Sequence, residues 1–233
     1  MNKTKIIVTG GAGRFAAVIK KSKTNINYLF PNKKDLNILR TSSIKKYIKD
    51  HKAKYLIHNA ALSRPMSIHD RIISKSIDIN IIGTSNVVKV CNELNVKLIY
   101  FSTGYVYEGK TGNYKEEDPV KPFNNYALSK MGGECAVQMY KNSLILRIIM
   151  CERPFIHKEA FYDVNTNFIY HDEVAEILPK IINLKGILNV GGKIQSVYKF
   201  AKKTNKKVKK ISANKKFPTN PSMNISKLTK KLK

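Results

Sequence analysis

The sequence predicts an α/β protein with a Rossmann-type doubly wound parallel sheet. Two observations predict it. Short apolar runs alternate along the chain with longer segments of helical periodicity. A glycine-rich turn directly follows the first apolar run and opens a helix. The chain of 233 residues can bury a full core.

The predicted elements alternate in type from the first strand onward. That strand covers residues 5–9, is apolar through most of its length, and runs into the tight turn Gly10–Gly13 and a helix beginning near Arg14. Further apolar runs predict strands at 26–30, 55–58, 97–102, 144–148 and 187–190. Helical periodicity predicts helices at 43–51, 76–94, 126–140, 171–182 and 195–203. Strands that alternate with helices in this way form parallel sheets.

The formal net charge of +27 raises the question of a polyanionic partner. Almost all of the excess is lysine, with six arginines, whereas recognition of phosphates and bases favours arginine. The lysines are dispersed among many Ile and Asn, residues with A/T-rich codons, so nucleotide bias accounts for the pattern. We therefore expect a solvated basic surface and no nucleic-acid partner.

The start of the chain, the length of its apolar runs and its cysteine spacing together indicate the cellular compartment. The first strand begins at Lys5, which leaves no room for a signal peptide, and no run of about 18 apolar residues predicts a membrane span. Cys91, Cys135 and Cys151 are scattered, odd in number and without metal-ligand spacing. We expect free thiols in the cytoplasm, no membrane partner and no metal.

The glycine turn fits the pattern G-x-x-G-x-x-A at Gly10, Gly13 and Ala16. Glycine permits the backbone angles of the turn and the close approach of a pyrophosphate, and the helix N-terminus offers free N–H groups. An acidic residue that holds the ribose of NAD usually follows about 20 residues on. Here Lys33 and Lys34 precede the first acidic residue, Asp35. With Arg14 they suit a 2′-phosphate, so NADP is preferred and NAD remains possible.

A second group of residues predicts the chemistry. Tyr126 and Lys130 lie four residues apart in a helical segment and therefore share a face. A phenol titrates near ~10, and an adjacent ammonium lowers its pKa toward neutrality. Thr103 follows the 97–102 strand at the carboxyl edge, where open α/β sheets bind ligands. In this interpretation Thr103 donates a hydrogen bond to a substrate carbonyl and Tyr126 exchanges the proton. Lys130 lowers the pKa of Tyr126 and holds the cofactor ribose, whereas alternation predicts that Ser102 points away.

The motifs together resemble the extended short-chain dehydrogenase/reductase family, and within it the dTDP-4-dehydrorhamnose reductase-like sugar-nucleotide reductases. They are spread over the chain: Thr9–Gly13, Asn59–Ala61, Asn80 with 83–86, Ser102–Tyr107, 117–118 with Pro122, Tyr126–Lys130 with Gly133 and Glu134, Arg147, 170–175 and 189–192. The segment 154–169 is shorter than this family usually carries between the corresponding strand and helix.

The resemblance implies an NAD(P)-dependent oxidoreductase that reduces the keto group of a nucleotide-linked 4-keto-6-deoxy sugar. By that resemblance the catalytic triad is Thr103, Tyr126 and Lys130. The implied cofactor-binding residues are Gly10, Gly13, Arg14, Phe15, Asp35, Leu36, Asn59, Ala60 and Ala61, together with Tyr126 and Lys130. Residues 1–150 are then the NAD(P)-binding Rossmann domain, and residues 151–233 are a mixed region that completes the sheet and forms the reduced substrate lobe. The family also implies a homodimer.

Two alternatives stay open on the sequence. One is an NAD-dependent nucleotide-sugar 4-epimerase, which oxidises and then re-reduces its substrate with tightly held NAD. The other is a non-catalytic regulatory subunit, because reductase-like folds of this group also serve as partners of other enzymes. The complete set Thr103, Tyr126 and Lys130 favours an enzyme over a regulatory subunit.

Overall fold

The computed structural model describes residues 4–214 and 217–233. Within these ranges no helix has the length and apolar character needed to cross a membrane. The chain divides into two compact units. The first unit comprises residues up to 102, 124–145 and 182–186, and the second comprises 103–123, 146–181 and 187–233. The domain boundary expected near residue 150 remains a prediction.

The strands of the six-stranded central sheet are β1 (Lys5–Val8), β2 (Asn27–Leu29), β3 (Tyr55–His58), β4 (Lys97–Phe101), β5 (Ser143–Ile148) and β10 (Gly186–Val190). Their order across the sheet is β2-β1-β3-β4-β5-β10. The pairs β1–β2, β1–β3 and β3–β4 are parallel. The strand order reverses between β1 and β3, which is the switch point where such sheets bind ligands. The predicted fold class is confirmed.

Nine helices lie between or after the strands of the described residues. They are α1 (Arg14–Lys21), α2 (Thr41–His51), α3 (Ile68–Arg71), α4 (Ile73–Ser76), α5 (Gly83–Glu93), α6 (Asn125–Gln138), α7 (His171–Ile181), α8 (Val197–Lys202) and α9 (Ser226–Leu232). The apolar face of α1 is buried through Phe15, Ala16 and Ile19, and the Phe15 ring packs edge-on against Phe101 of β4. Burying this face against the sheet is what stabilises so short a helix.

The predicted helix 76–94 is not one regular helix. Residues Ile77–Ile82 form a π-helical segment between α4 and α5. Asn80 lies in this segment, and its side chain both accepts from Leu62 N–H and donates to the Leu62 carbonyl, at 2.8 and 2.9 Å. A π turn carries one more residue than an α turn, and periodicity in the sequence does not reveal it.

The second unit contains short strands that the sequence did not predict. They are β6 (Met150–Cys151), β7 (Glu159–Phe161), β8 (Asn165–Thr166), β9 (Ile169–Tyr170), β11 (Gln195–Ser196) and β12 (Lys209–Ile211). They pair as β6–β9, β7–β12 and β8–β11. Their apolar cluster includes Phe155 and Val164 and the stacked rings of Tyr170 and Phe200. Strands of two or three residues are too short to show a period.

Candidate functional site

The glycine turn after β1 is built so that side chains are excluded. Gly10 has φ +70°, a conformation that L side chains rarely adopt. A Cβ at Gly10 would lie 2.9 Å from the Ala60 Cα, and one at Gly11 would lie 2.7 Å from the Phe30 carbonyl carbon. The Gly13 N–H donates to the Gly10 carbonyl at 2.8 Å and closes the turn. The turn therefore brings bare backbone to the edge where β1 and β3 end.

The helix α1 continues from this turn with an open N-terminus. Gly13 is its N-cap, and no side chain in the described residues caps it. Its first turn contains Arg14, which is exposed, and Phe15, which is buried, and no acidic residue. Uncapped N–H groups beside an unhindered glycine backbone suit a pyrophosphate. These residues fit a dinucleotide.

The loop after β2 holds the residues expected beside the adenine. The Asp35 carboxylate accepts from Asn32 N–H at 3.0 Å, and the Asn32 side chain accepts from Lys34 and Asp35 N–H groups. Asp35 is exposed and Leu36 is buried. The Asp35 carboxylate is thus engaged in shaping its own loop, and its role toward a cofactor stays a prediction.

A buried histidine links the ends of β1 and β3. His58 Nδ1 lies 2.9 Å from Thr9 Oγ1, and His58 Nε2 lies 3.1 Å from Thr84 Oγ1. The Ala60 N–H donates to Thr9 Oγ1 at 3.1 Å, whereas Asn59 and Ala61 are not buried. Burial, and to a lesser extent the charge of Lys130, lower the pKa of His58 to about 3. The imidazole is therefore neutral and serves as a hydrogen-bonding link. The sequence feature that could have identified His58 is a polar residue at the end of an otherwise apolar strand.

The helix α6 carries Tyr126 and Lys130 on neighbouring turns. Its N-terminus is fixed by the Asn124 side chain, which accepts from Ala127 N–H at 2.8 Å. Tyr126 is half-buried in the first turn. Lys130 is only 3 % exposed, and its Nζ lies 4.2 Å from the centroid of the Tyr100 ring. Burial lowers the pKa of Lys130 to about 7, and the Glu134 carboxylate opposes that change.

Glu134 belongs to the same buried surroundings and was not predicted as a site residue. The Ser102 hydroxyl donates to the Glu134 carboxylate at 2.5 Å, and the Gln138 amide donates to its other oxygen at 3.3 Å. A carboxylate one helical turn beyond Lys130 favours the charged form of the amine. Ser102 therefore contributes by holding Glu134, a role that strand alternation alone did not suggest.

Thr103 belongs to the second unit, whereas Tyr126 and Lys130 belong to the first. It lies two residues beyond the end of β4 and is buried. Its hydroxyl oxygen accepts from Tyr105 N–H at 3.3 Å and caps the short 3₁₀ helix Gly104–Val106. The chain thus fixes Thr103 at the carboxyl side of β4. Its catalytic role remains a prediction.

A glycine turn at the switch point of a parallel sheet, together with the later helix α6 that carries Tyr126 and the buried Lys130, defines a Rossmann-type α/β protein. The chain belongs to the family described as RmlD substrate binding domain, whose model matches residues 4–151. The resemblance seen in the sequence is confirmed.

Curated relatives match over part of their length. Methionine adenosyltransferase 2 subunit beta from Xenopus laevis is 31% identical over 152 residues, which are 61% of this chain and 45% of that protein. The spore coat polysaccharide biosynthesis protein SpsK from Bacillus subtilis is 27% identical over 148 residues, or 62% of this chain and 52% of that protein. The chain spans about half the length of the curated relatives it matches.

Solved structures share the fold over nearly the whole chain. The dTDP-4-dehydrorhamnose reductase from Bacillus anthracis, in complex with NADP, matches with a TM-score of 0.85 at 22% identity, over 98% of this chain and 92% of that one. The UDP-glucose 4-epimerase from Thermus thermophilus, in complex with NAD, matches with a TM-score of 0.73 at 16% identity, over 97% of this chain and 92% of that one. At these identities the similarity establishes the fold.

Proposed function

We propose that this protein is an NAD(P)H-dependent reductase of a nucleotide-linked 4-keto-6-deoxy sugar. The observation that carries the proposal is the buried Lys130 ammonium site one turn beyond Tyr126 on α6. A lysine is rarely buried without a functional reason, and a pKa near neutrality beside a phenol suits proton exchange. Membership of the RmlD family supports the same reaction class.

The cofactor is a nicotinamide dinucleotide, with NADP preferred and NAD possible. The Gly10–Gly13 turn and the N-terminus of α1 would hold its pyrophosphate, and Lys33 and Lys34 would suit a 2′-phosphate. The Bacillus anthracis structure is in complex with NADP and the Thermus thermophilus structure with NAD, which supports either form. When bound, the reduced cofactor supplies hydride to the keto carbon.

Side chains of this protein would supply the proton to the keto oxygen and stabilise the negative charge that remains on the donor. Tyr126 donates its proton to the keto oxygen, and the Lys130 ammonium favours the phenolate that remains. Thr103 is the residue that the family resemblance predicts as a hydrogen-bond donor to a substrate carbonyl. Since the pKa of Lys130 is about 7, roughly half of the amine is charged at neutral pH, and Glu134 helps to hold that charge.

The second candidate is a non-catalytic regulatory subunit. It is favoured by the similarity to methionine adenosyltransferase 2 subunit beta. Against it, Tyr126 and the buried Lys130 are both retained here. A nucleotide-sugar 4-epimerase is the remaining alternative, and copurified NAD without net consumption of NADPH would identify it.

Homodimer formation and a cytoplasmic location are also part of the proposal. Exposed apolar side chains on α4, the π segment and α6 support a self-association face, with Ile73 55% and Leu128 46% exposed. Cys91 and Cys135 are free thiols, which fits a reducing compartment. Sedimentation of the purified chain tests the dimer.

Replacing Tyr126 by Phe tests the function. We expect turnover of dTDP-4-dehydrorhamnose with NADPH to fall by roughly 10²- to 10⁴-fold, because the proton donor is lost. Cofactor binding, measured by fluorescence titration, should persist. Tyr162→Phe is the matched control, since Tyr162 is exposed on the second unit. Wild-type turnover in Tyr126→Phe, or none in the wild type with any nucleotide-linked keto sugar, would refute the proposal.

A further inference from the structure

His69 packs beside Tyr126 at the start of α6. It lies on α3, is 1% exposed, and its ring centroid is 5.2 Å from that of Tyr126 at an interplanar angle of 59°. The next residue, Asp70, accepts a hydrogen bond from the Asn125 side chain at 2.8 Å. The helix α3 therefore contacts the first turn of α6 at two adjacent positions.

One nitrogen of His69 is satisfied and the other is not. Nδ1 lies 2.7 Å from the Ser76 hydroxyl, whereas Nε2 is buried with no hydrogen-bond partner among the residues that the structure describes. Either tautomer leaves Nε2 unmatched. Burial lowers the pKa of His69 although Asp70 opposes the change, so the ring is neutral near pH 7.

Leaving a buried polar atom of this kind unmatched destabilises the folded protein. A phenylalanine would provide the same aromatic contact without an unmatched Nε2, although it would also lose the bond to Ser76. The bond to Ser76 accounts for Nδ1, and the unmatched Nε2 calls for a further reason. Tyr126 is half-buried, so a ligand can contact the phenol from solvent. Such a ligand is separated from His69 only by the Tyr126 ring, whose centroid is 5.2 Å from that of His69.

We infer that His69 is a substrate-contact residue, whose Nε2 hydrogen-bonds a polar group of the nucleotide-linked sugar beside Tyr126. This inference rests on the proposed function, because the ligand class comes from it. Ser76 fixes the ring through Nδ1 and leaves Nε2 for the ligand.

Three variants separate the polar role from packing. His69→Phe keeps the aromatic contact and removes both nitrogens, whereas His69→Gln returns an amide near the position of Nε2. Ser76→Ala is the control that removes the Nδ1 partner and retains the imidazole. With dTDP-4-dehydrorhamnose and NADPH, we expect kcat/KM to fall about 10- to 100-fold in His69→Phe and to recover in part in His69→Gln. Equal thermal unfolding midpoints show that folding is retained.

A binding measurement keeps the test independent of turnover. In wild-type protein with NADP, dTDP-glucose has no keto group to reduce, and its binding should shift the Nε2 ¹⁵N resonance of His69. Among the five histidines, the His69 signal is assigned as the one that disappears in His69→Phe. Wild-type kcat/KM in His69→Phe, or an unmoved Nε2 resonance when calorimetry shows dTDP-glucose bound, overturns the inference. Absence of both binding and turnover in wild type overturns the proposed function and this inference with it.

Discussion

Glu134→Gln is the most informative change, because it removes the charge that helps to keep Lys130 protonated while preserving the shape of the side chain. The two residues are one helical turn apart, which places Cβ atoms within about 6 Å. Unit charges about 6 Å apart interact by roughly 3 kcal/mol at an effective dielectric constant of 20. If Glu134→Gln removes about half of that energy, ~1.4 kcal/mol, the proton affinity of Lys130 falls tenfold.

The effect on activity depends on the pKa of Lys130, which is about 7. A tenfold loss of proton affinity reduces the charged fraction at pH 7 from about one half to about one tenth. We therefore expect kcat at pH 7 to fall about fivefold, and the loss of activity with rising pH to begin at lower pH.

Titration of isotope-labelled lysine by NMR measures this directly, with the Lys130 signal assigned through Lys130→Met. Glu93→Gln is the matched control, since Glu93 is an exposed carboxylate paired with Lys45. An unchanged or raised Lys130 midpoint in Glu134→Gln would show that the carboxylate does not hold the ammonium.

Three further changes test the turn, the helix packing and the buried histidine. Gly10→Ala should abolish cofactor binding and lower stability by more than Gly186→Ala, because both have positive φ but no described atom lies within 4 Å of a Cβ at Gly186; equal unfolding midpoints would contradict this. Gly133→Ala should destabilise by about 1–3 kcal/mol in urea unfolding, since its Cβ would lie 2.5 Å from the Asn80 carbonyl oxygen. The unfolded chain binds a proton on His58 near pH 6.5 and the folded chain near 3, so stability falls as pH drops through that window. The free energy of unfolding of the wild type should therefore fall between pH 6.5 and pH 3, and in His58→Asn this fall should be smaller by up to about 5 kcal/mol. Unfolding curves at several pH values measure the difference.

The sequence predicted the elements that have strong local signals. The apolar runs of β1, β3 and β4 and the turn at Gly10 are where expected, because burial on both faces and a positive φ each restrict residue choice. The spacing of Tyr126 and Lys130 likewise placed both on one helix. These features depend on neighbours in the chain, so one sequence suffices to find them.

The rest depends on contacts between residues far apart in the chain. Ser102 meets Glu134, and His69 meets Tyr126, across separations that no periodicity encodes. Lys130 was identified as charged, but its burial, and hence its near-neutral pKa, comes from packing over Tyr100. Such roles become visible only when the elements are assembled.

The π segment Ile77–Ile82 is a place where the chain can lose a residue and still keep its direction. Because a π turn contains one more residue than an α turn, deleting one residue there allows an ordinary α-helix whose flanking segments keep their orientation. The change is confined to the turn itself, where the Asn80 side chain bonds both backbone groups of Leu62. A shortened version of this protein would therefore keep the direction of α5 and lose the hold of Asn80 on Leu62.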